Sequence, residues 1–160
     1  MQLEKVEVEF KLENDFIDLN GQRVQLDPNN VLLPNKQRQE DAGYDIISAE
    51  EGIIPPGEGR TFHTGVRLAV ALGWYYEIKG RSGLGFKGIQ PFIGTLDATY
   101  NGLIRVQLLN HSAEPYKVNR GDRIAQILFH KQYEMAPHKV TEFSSDFDKR
   151  GTAGFGSSGK

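Results

Sequence analysis

Alternation of apolar and polar residues dominates the chain. In "KVEVEFKL", residues 5–12, Val6, Val8, Phe10 and Leu12 fall on one face while Glu7, Glu9 and Lys11 fall on the other. That period of two is the pattern of a half-buried strand. The stretch "FIDLNGQRVQL", within residues 14–30, predicts a hairpin with Asn20-Gly21 as the two positive-φ residues of a tight turn. In that register Ile17 faces Val24 and Asp18 faces Arg23. Further strands are predicted at "RTFHTGVRLAV", "WYYEIKG", "LIRVQLLN" and "DRIAQILFH", separated by Gly- and Pro-rich turns. No window carries a helical stripe, and one short helical turn is expected after Ser82. Many short strands between such turns predict an all-β sandwich, barrel or jelly roll. There is no internal repeat.

Composition narrows the function classes. The chain has 160 residues, which is the size of one domain. Nineteen basic residues against 21 acidic ones leave a net charge of −2. That is no footprint for nucleic acid, which requires clustered Lys and Arg. An anionic ligand therefore needs a local cationic site or a metal of its own. Cysteine is absent, which excludes disulfides, thiolate ligands and a cysteine nucleophile and suits a reducing compartment. Charges run through the first ten residues, so no signal peptide is expected. No run approaches the ~18 apolar residues of a membrane helix. The expected location is the cytoplasm, with no membrane partner.

Twelve of the 18 glycines gather in five stretches that also carry groups able to bind anions or move protons. Asp97, in "TLDATY", suits a water-activating carboxylate; the alternative is a turn aspartate bonding its own backbone. Tyr100 is either a core tyrosine or part of a site. Arg81 and Ser82 in "GRSG" offer a guanidinium fork and hydroxyl for phosphate oxygens, or a charged turn. Asp45 in "GYDI" and Gln126 in "RIAQI" are polar residues in apolar strand patterns, and such residues need partners if buried. Gly154, Gly159 and Lys160 have G-x-x-x-x-G-K spacing, but "SSDFDKR" precedes them where a P-loop requires an apolar strand. The tail is then a solvated segment or a functional arm. His63, His111, His130 and His138 lack metal-ligand spacing and are expected to be structural or exposed.

Taken in order, "DAGYDI" (41–46), "GRSGLGFKG" (80–88), "GTLDATYNG" (94–102), "GDRIAQILF" (121–129) and "RGTAGFGSSG" (150–159) resemble the five motifs of the trimeric deoxyuridine triphosphatases, the dUTPases. Any one of them is weak, but five in order from residue 33 onward are specific. The resemblance implies a jelly-roll or distorted β-barrel domain over 1–149 and a flexible glycine-rich arm over 150–160. It further implies a homotrimer with active sites at subunit interfaces. The implied reaction converts dUTP and water to dUMP and pyrophosphate with Mg²⁺. This limits uracil incorporation into DNA and supplies dUMP for dTMP synthesis.

Residue roles follow from the same resemblance. Asp97 matches the base that activates water for attack at the α-phosphorus. Tyr100 matches the ring that packs under the deoxyribose and excludes a 2′-hydroxyl. Arg81 and Ser82, with Gly83, match phosphate-binding positions, and Gly94 a substrate-binding one. Asp45 matches a carboxylate holding water ligands of Mg²⁺, and Gln126 a residue of the phosphate and metal-water network. Asp122 and Arg123 are expected to hold the interface by ion pairing. In the tail, Arg150, Ser157 and Ser158 match γ-phosphate ligands, and Phe155, between Gly154 and Gly156, the ring stacked on uracil.

The chain also departs from the family pattern. Thr99 stands where acidic residues or glycine are common, and Ala153 where glycine is usual. The segment from Arg81 to Asp97 is slightly short, which weakens the inference of strict uracil selection. The 14–30 stretch is longer than usual and could cap the trimer or bind a protein partner. Two rivals remain: a dCTP deaminase and a nucleotide-binding regulatory or structural trimer. Gln107 stands where the deaminases have a catalytic glutamate, and Gly83 where they favour a second serine. Retention of Asp97 favours turnover over regulation.

Overall fold

The computed structural model describes residues 5–13, 15–17, 23–25, 32–92 and 94–144. Among these, 12 strands and one helical turn appear in the order β1 (Val8–Leu12), β2 (Asp15–Ile17), β3 (Arg23–Gln25), β4 (Tyr44–Ile47), β5 (Gly52–Ile54), β6 (Gly59–Val70), β7 (Trp74–Lys79), α1 (Ser82–Gly85), β8 (Ile89–Pro91), β9 (Gly94–Asp97), β10 (Leu103–Asn110), β11 (Tyr116–Val118) and β12 (Arg123–Lys131). Two four-stranded antiparallel sheets, β1-β6-β10-β8 and β4-β12-β7-β9, carry the domain, and β11-β5 and β2-β3 are two-stranded. This is the all-β class that the alternation predicts, in the jelly-roll form that the family resemblance implies. No helix among the described residues is long and apolar enough to cross a membrane.

One apolar core lies between the two main sheets. Phe62, Val66 and Leu68 of β6 and Ile104, Val106 and Leu108 of β10 come from the first sheet. Ile46, Tyr76, Ile78, Ile124 and Ile127 come from the second, and all eleven of these side chains are at most 5% exposed. The other face of the second sheet is polar. Tyr75 stacks on His130 at 5.1 Å, and Glu77 pairs with Lys79 at 2.9 Å and His130 at 3.4 Å. Lys79, and behind it His130 and Thr95, hold the Glu77 carboxyl below its ordinary range despite partial desolvation. His111 and His138 are exposed and His63 is buried.

Two bulges shape the sheets. Between Leu103↔Arg67 and Arg105↔His63 the β6–β10 register shifts, and Gly65 there adopts φ 73°. Thr64 closes the gap, its hydroxyl donating to the Ile104 carbonyl at 2.8 Å and accepting from the Val66 amide at 3.2 Å. The second bulge lies in β12, between Arg123↔Ile47 and Ala125↔Ile46. It reverses which face later residues present, because strand side chains alternate.

The N-terminal hairpin differs from expectation by one residue. Phe16 pairs with Val24 and Ile17 with Arg23, rather than Ile17 with Val24 and Asp18 with Arg23. The observed register leaves an odd number of residues in the connection, which a two-residue turn cannot close. Arg23 accordingly pairs with Asp15, at 3.1 Å. Asp18 and the Asn20-Gly21 turn lie outside the described residues.

Tyr76 is fully buried, and among the described residues its hydroxyl has no hydrogen-bond partner. Burial, and next the neighbouring Tyr100, push its pKa up from 10.0 to about 12. The folded state thus keeps a proton that the unfolded chain loses above pH 10, so this contribution is intact below pH 10 and lost as pH rises toward 12. We expect Tyr76→Phe to match or exceed wild-type stability at pH 7, since it removes an unpaired buried hydroxyl. It should also abolish about 2–3 kcal/mol of the alkaline loss. Urea titrations of both proteins at pH 7 and through pH 10–12, at fixed concentration, check this.

Candidate active site

At one edge of the second sheet, β4, β12, α1 and the 36–43 loop enclose a polar pocket of about 270 Å³. The backbone of β4 fixes Asp45 on both sides. Asp45 pairs with Gln126 of β12, and its amide donates to the Asn35 carbonyl at 2.7 Å. The Asp45 carboxylate is divided between two guanidinium groups. Arg81 Nε meets Oδ1 at 2.8 Å, and an Arg123 terminal nitrogen meets Oδ2 at 3.2 Å. Arg81 also donates to the Arg123 carbonyl at 2.9 Å. A buried carboxylate removed from water needs such partners, and both of its oxygens have one.

Arg81 itself precedes the single turn of α1, whose Leu84 and Gly85 amides bond back to its carbonyl. The first amides of such a turn, here those of Ser82 and Gly83, have no partner within it. Gln126 is oriented by donation from Nε2 to the Gly80 carbonyl at 2.7 Å. Its amide oxygen lies against Gly43, where an added Cβ would overlap it. The glycine of "DAGYD" is therefore required by a side chain from another strand.

The structure thus brings together Asp45, Arg81, Ser82, Gly83 and Gln126. It also adds Arg123, which was expected at an interface but lines this pocket. The bulge explains the omission. Residues three apart on a regular strand face opposite sides, and the slip between Arg123 and Ala125 turns Arg123 and Gln126 to the same side. Asp122 caps its own turn by accepting from the Asn119 amide at 2.8 Å.

Asp97 and Gly94 are elsewhere, on β9 at the opposite edge of the same sheet. Asp97 pairs with Tyr75, and Asp45 sits in the row of Gln126 and Lys79. Three strand spacings and four residues along β7 separate them, about 20 Å on a flat sheet. Asp97 is exposed, and its carboxylate has no partner among the described residues. Only its carbonyl closes the turn, accepting from the Tyr100 amide at 3.0 Å. Tyr100 is 43% exposed rather than in the core. Its hydroxyl donates to the Leu103 carbonyl at 3.4 Å and its ring lies over Gly102, leaving no room for a Cβ. Arg150, Gly154, Phe155, Gly156, Ser157 and Ser158 lie outside the described residues.

The described residues hold no group of three or more His, Cys, Asp or Glu that would cage a metal ion. The pocket does offer oxygen atoms from Asp45, Asp41 and Gln126. That set fits Mg²⁺, which retains water and binds largely through substrate phosphates.

Comparison with known proteins supports one family. The dUTPase family model matches residues 29–159. The deoxyuridine 5′-triphosphate nucleotidohydrolase of Kluyveromyces lactis is 39% identical over 142 residues, covering 88% of this chain and 95% of that protein. That of Variola virus is 39% identical over 131 residues, covering 82% and 88%. Among solved structures, a mutant dUTPase of Staphylococcus bacteriophage 80alpha with dUpNHpp superposes at a TM-score of 0.79 and 25% identity, over 96% of this chain and 99% of that one. A mutant dUTPase from phage phi11 of S. aureus, described with a structural Mg(II) ion, has the same fold at a TM-score of 0.71 and 23% identity, covering 87% and 99%. With both halves of the predicted chemistry carried by one jelly roll, and the family model spanning most of its length, the chain is a member of the dUTPase family.

Proposed function

We propose that this chain hydrolyses dUTP to dUMP and pyrophosphate at sites completed by a second and third copy of itself in a homotrimer. The observation that carries this reading is the placement of Asp97 and of Asp45, which Arg81 grips, at opposite corners of one sheet. Two side chains about 20 Å apart cannot act on one triphosphate. A neighbouring copy that sets its Asp97 edge beside this chain's Asp45 edge removes the difficulty.

In that arrangement the Arg81 fork and the Ser82 and Gly83 groups hold the α- and β-phosphates. Phosphate oxygens would compete with Asp45 for Arg81, while Arg123 keeps its bond to Asp45. The neighbour's Asp97, its carboxylate free of competing donors, orients a water in line with the α-phosphorus and takes its proton. Its Tyr100 ring, held over Gly102, lies under the deoxyribose and clashes with a 2′-hydroxyl. Gly94 contributes backbone contact to the nucleoside. Mg²⁺, when bound, would neutralise phosphate charge, and Asp45 and Gln126 would meet it through water. The arm closes the site, with Phe155 between Gly154 and Gly156 on the base and Arg150, Ser157 and Ser158 on the γ-phosphate. Closure excludes water and strengthens these charge interactions. The deaminase alternative is not favoured, since Gln107 cannot take up a proton as a carboxylate does.

Pyrophosphate release from dUTP, dCTP, dTTP and UTP with Mg²⁺ should occur with dUTP alone at an appreciable rate. Asp97→Asn should lower kcat by at least ~10²-fold. Arg81→Ala should be similarly impaired, but co-refolding it with Asp97→Asn should restore activity, because some hybrid sites draw both intact groups from different chains. Failure of the mixture to exceed either variant would refute the shared site. Gly43→Ala should raise KM for Mg·dUTP several-fold by displacing Gln126, with a smaller effect in a Gln126→Ala background; steady-state kinetics of the pair test this coupling. Truncation of 150–160 should depress kcat strongly and leave the oligomer intact by light scattering.

A further inference from the structure

The turn that carries Asp97 and Tyr100 is tied to the N-terminal strand by one guanidinium. Arg67 stands on β6 opposite Leu103, the first residue of β10 after that turn. Its NH1 donates to the Asn101 carbonyl at 3.3 Å. Its Nε donates to Glu13 Oε1 in a close ion pair. Glu13 follows β1, and its amide is fixed to the Gly65 carbonyl at 2.9 Å. The β6 bulge is thus used twice: Thr64 closes it toward β10, and Gly65 holds Glu13.

Charge around this contact explains the need for Glu13. Lys11 lies directly across from Arg67 in the β1–β6 register, so two cations face each other. Glu13 meets both, with Lys11 Nζ at 3.8 Å from the same oxygen. The Glu13 side chain is only 16% exposed, whereas Lys11 is 75% exposed and free to turn away. Arg67, at 40%, is held from both ends. Asn101 lies between Tyr100 and Gly102, which the ring covers. A pull on the Asn101 carbonyl therefore sets the height of that ring above the backbone. Among the described residues no side-chain hydrogen bond other than that from Arg67 reaches the 97–102 turn from another element.

We infer that Arg67 and Glu13 are positioning residues for the nucleoside half of the site: the Glu13–Arg67–Asn101 chain fixes Tyr100, and with it the discrimination between deoxyribose and ribose. Neither residue touches substrate, and the role rests on the reading of Tyr100 given above. It also makes the strand leading into the 14–30 insertion a part of substrate selection.

The test measures kcat/KM for dUTP and UTP with Glu13→Gln, Arg67→Gln, the double variant, Arg67→Lys and Tyr100→Ala. Each of the Glu13 and Arg67 single variants should lower the dUTP-to-UTP ratio, roughly tenfold to a hundredfold for Arg67→Gln. The double variant should be no worse than the worse single, because both break one chain of contacts. Arg67→Lys should rescue little, since an ammonium lacks the fork that reaches both oxygens. A purely structural role would reduce thermal stability and leave the ratio unchanged, which would overturn the proposal. If Arg67→Gln does not fold, Glu13→Gln reads the same ratio. Tyr100→Ala separates the two failures. If it collapses discrimination while Glu13→Gln and Arg67→Gln do not, the brace is wrong; if it leaves discrimination intact, the assignment of Tyr100 is wrong and the inference falls with it.

Discussion

The register of β7 governs where chemistry can occur in this protein. It is hydrogen-bonded to β12 on one side and β9 on the other. Through those pairings it sets Asp45 and Gln126 in the row of Lys79 and Asp97 in the row of Tyr75. Alternation then places Tyr76 and Ile78 in the core and leaves every one of the polar groups on the opposite face. A slip of one residue would exchange the faces and bury carboxylates and arginines in an apolar core. The apolar face therefore pins the site. The same rigidity keeps the Asp45 and Asp97 edges about 20 Å apart, the separation that the proposed shared site bridges with a second copy.

The long strands were legible because each spans several alternations. β6, β7, β10 and β12 lie where the period of two puts them, and α1 begins at Ser82 as expected. The strands β5, β8 and β11 have three residues each, too few for alternation to register. They exist because long neighbours offer them a ladder, which is tertiary context. The hairpin was legible as a hairpin but not in its register, since Asn-Gly suggests a two-residue turn and the β2–β3 pairing leaves an odd connection. Bulges were invisible. Nothing local distinguishes Arg123 from a solvent-facing strand residue, and only the shift before Ala125 turns it toward Asp45. The motif residues in the 145–160 stretch lie outside the described residues, so the sequence alone speaks for them.

Two motif glycines acquire a different meaning. Backbone amides approaching phosphate are the usual reason to expect glycine near a triphosphate. Gly43 and Gly102 are instead seats for side chains from within the fold. Gln126 rests its amide oxygen on the first, and the Tyr100 ring covers the second. In each case a Cβ would push away a group that the proposed chemistry uses. Gly88 and Gly121, at φ 74° and 89°, are the ordinary kind that a turn requires. A glycine-rich motif thus mixes backbone and side-chain constraints, which the letters cannot separate.

Exposed apolar side chains lie at the Arg81 end of the second sheet. Phe86 follows α1 beside Arg81 and Ser82 and is 94% exposed, and Phe92 precedes β9 and is 68% exposed. Isolated exposed apolar side chains are common, but these two lie toward the same end of the sheet, where Pro91 packs against Gly80. The association proposed above, with a neighbour's Asp97 edge set at the Asp45 edge, would cover Phe86 beside α1 and remove water from around Arg81. Burial of that ring would supply hydrophobic driving force, while the desolvated guanidinium, already paired with Asp45, would not be stranded. On this view the Asp45–Arg81 contact serves two states. In the proposed reaction it would keep Arg81 ordered before substrate arrives, and give way in part when phosphate oxygens offer the fork a second acceptor.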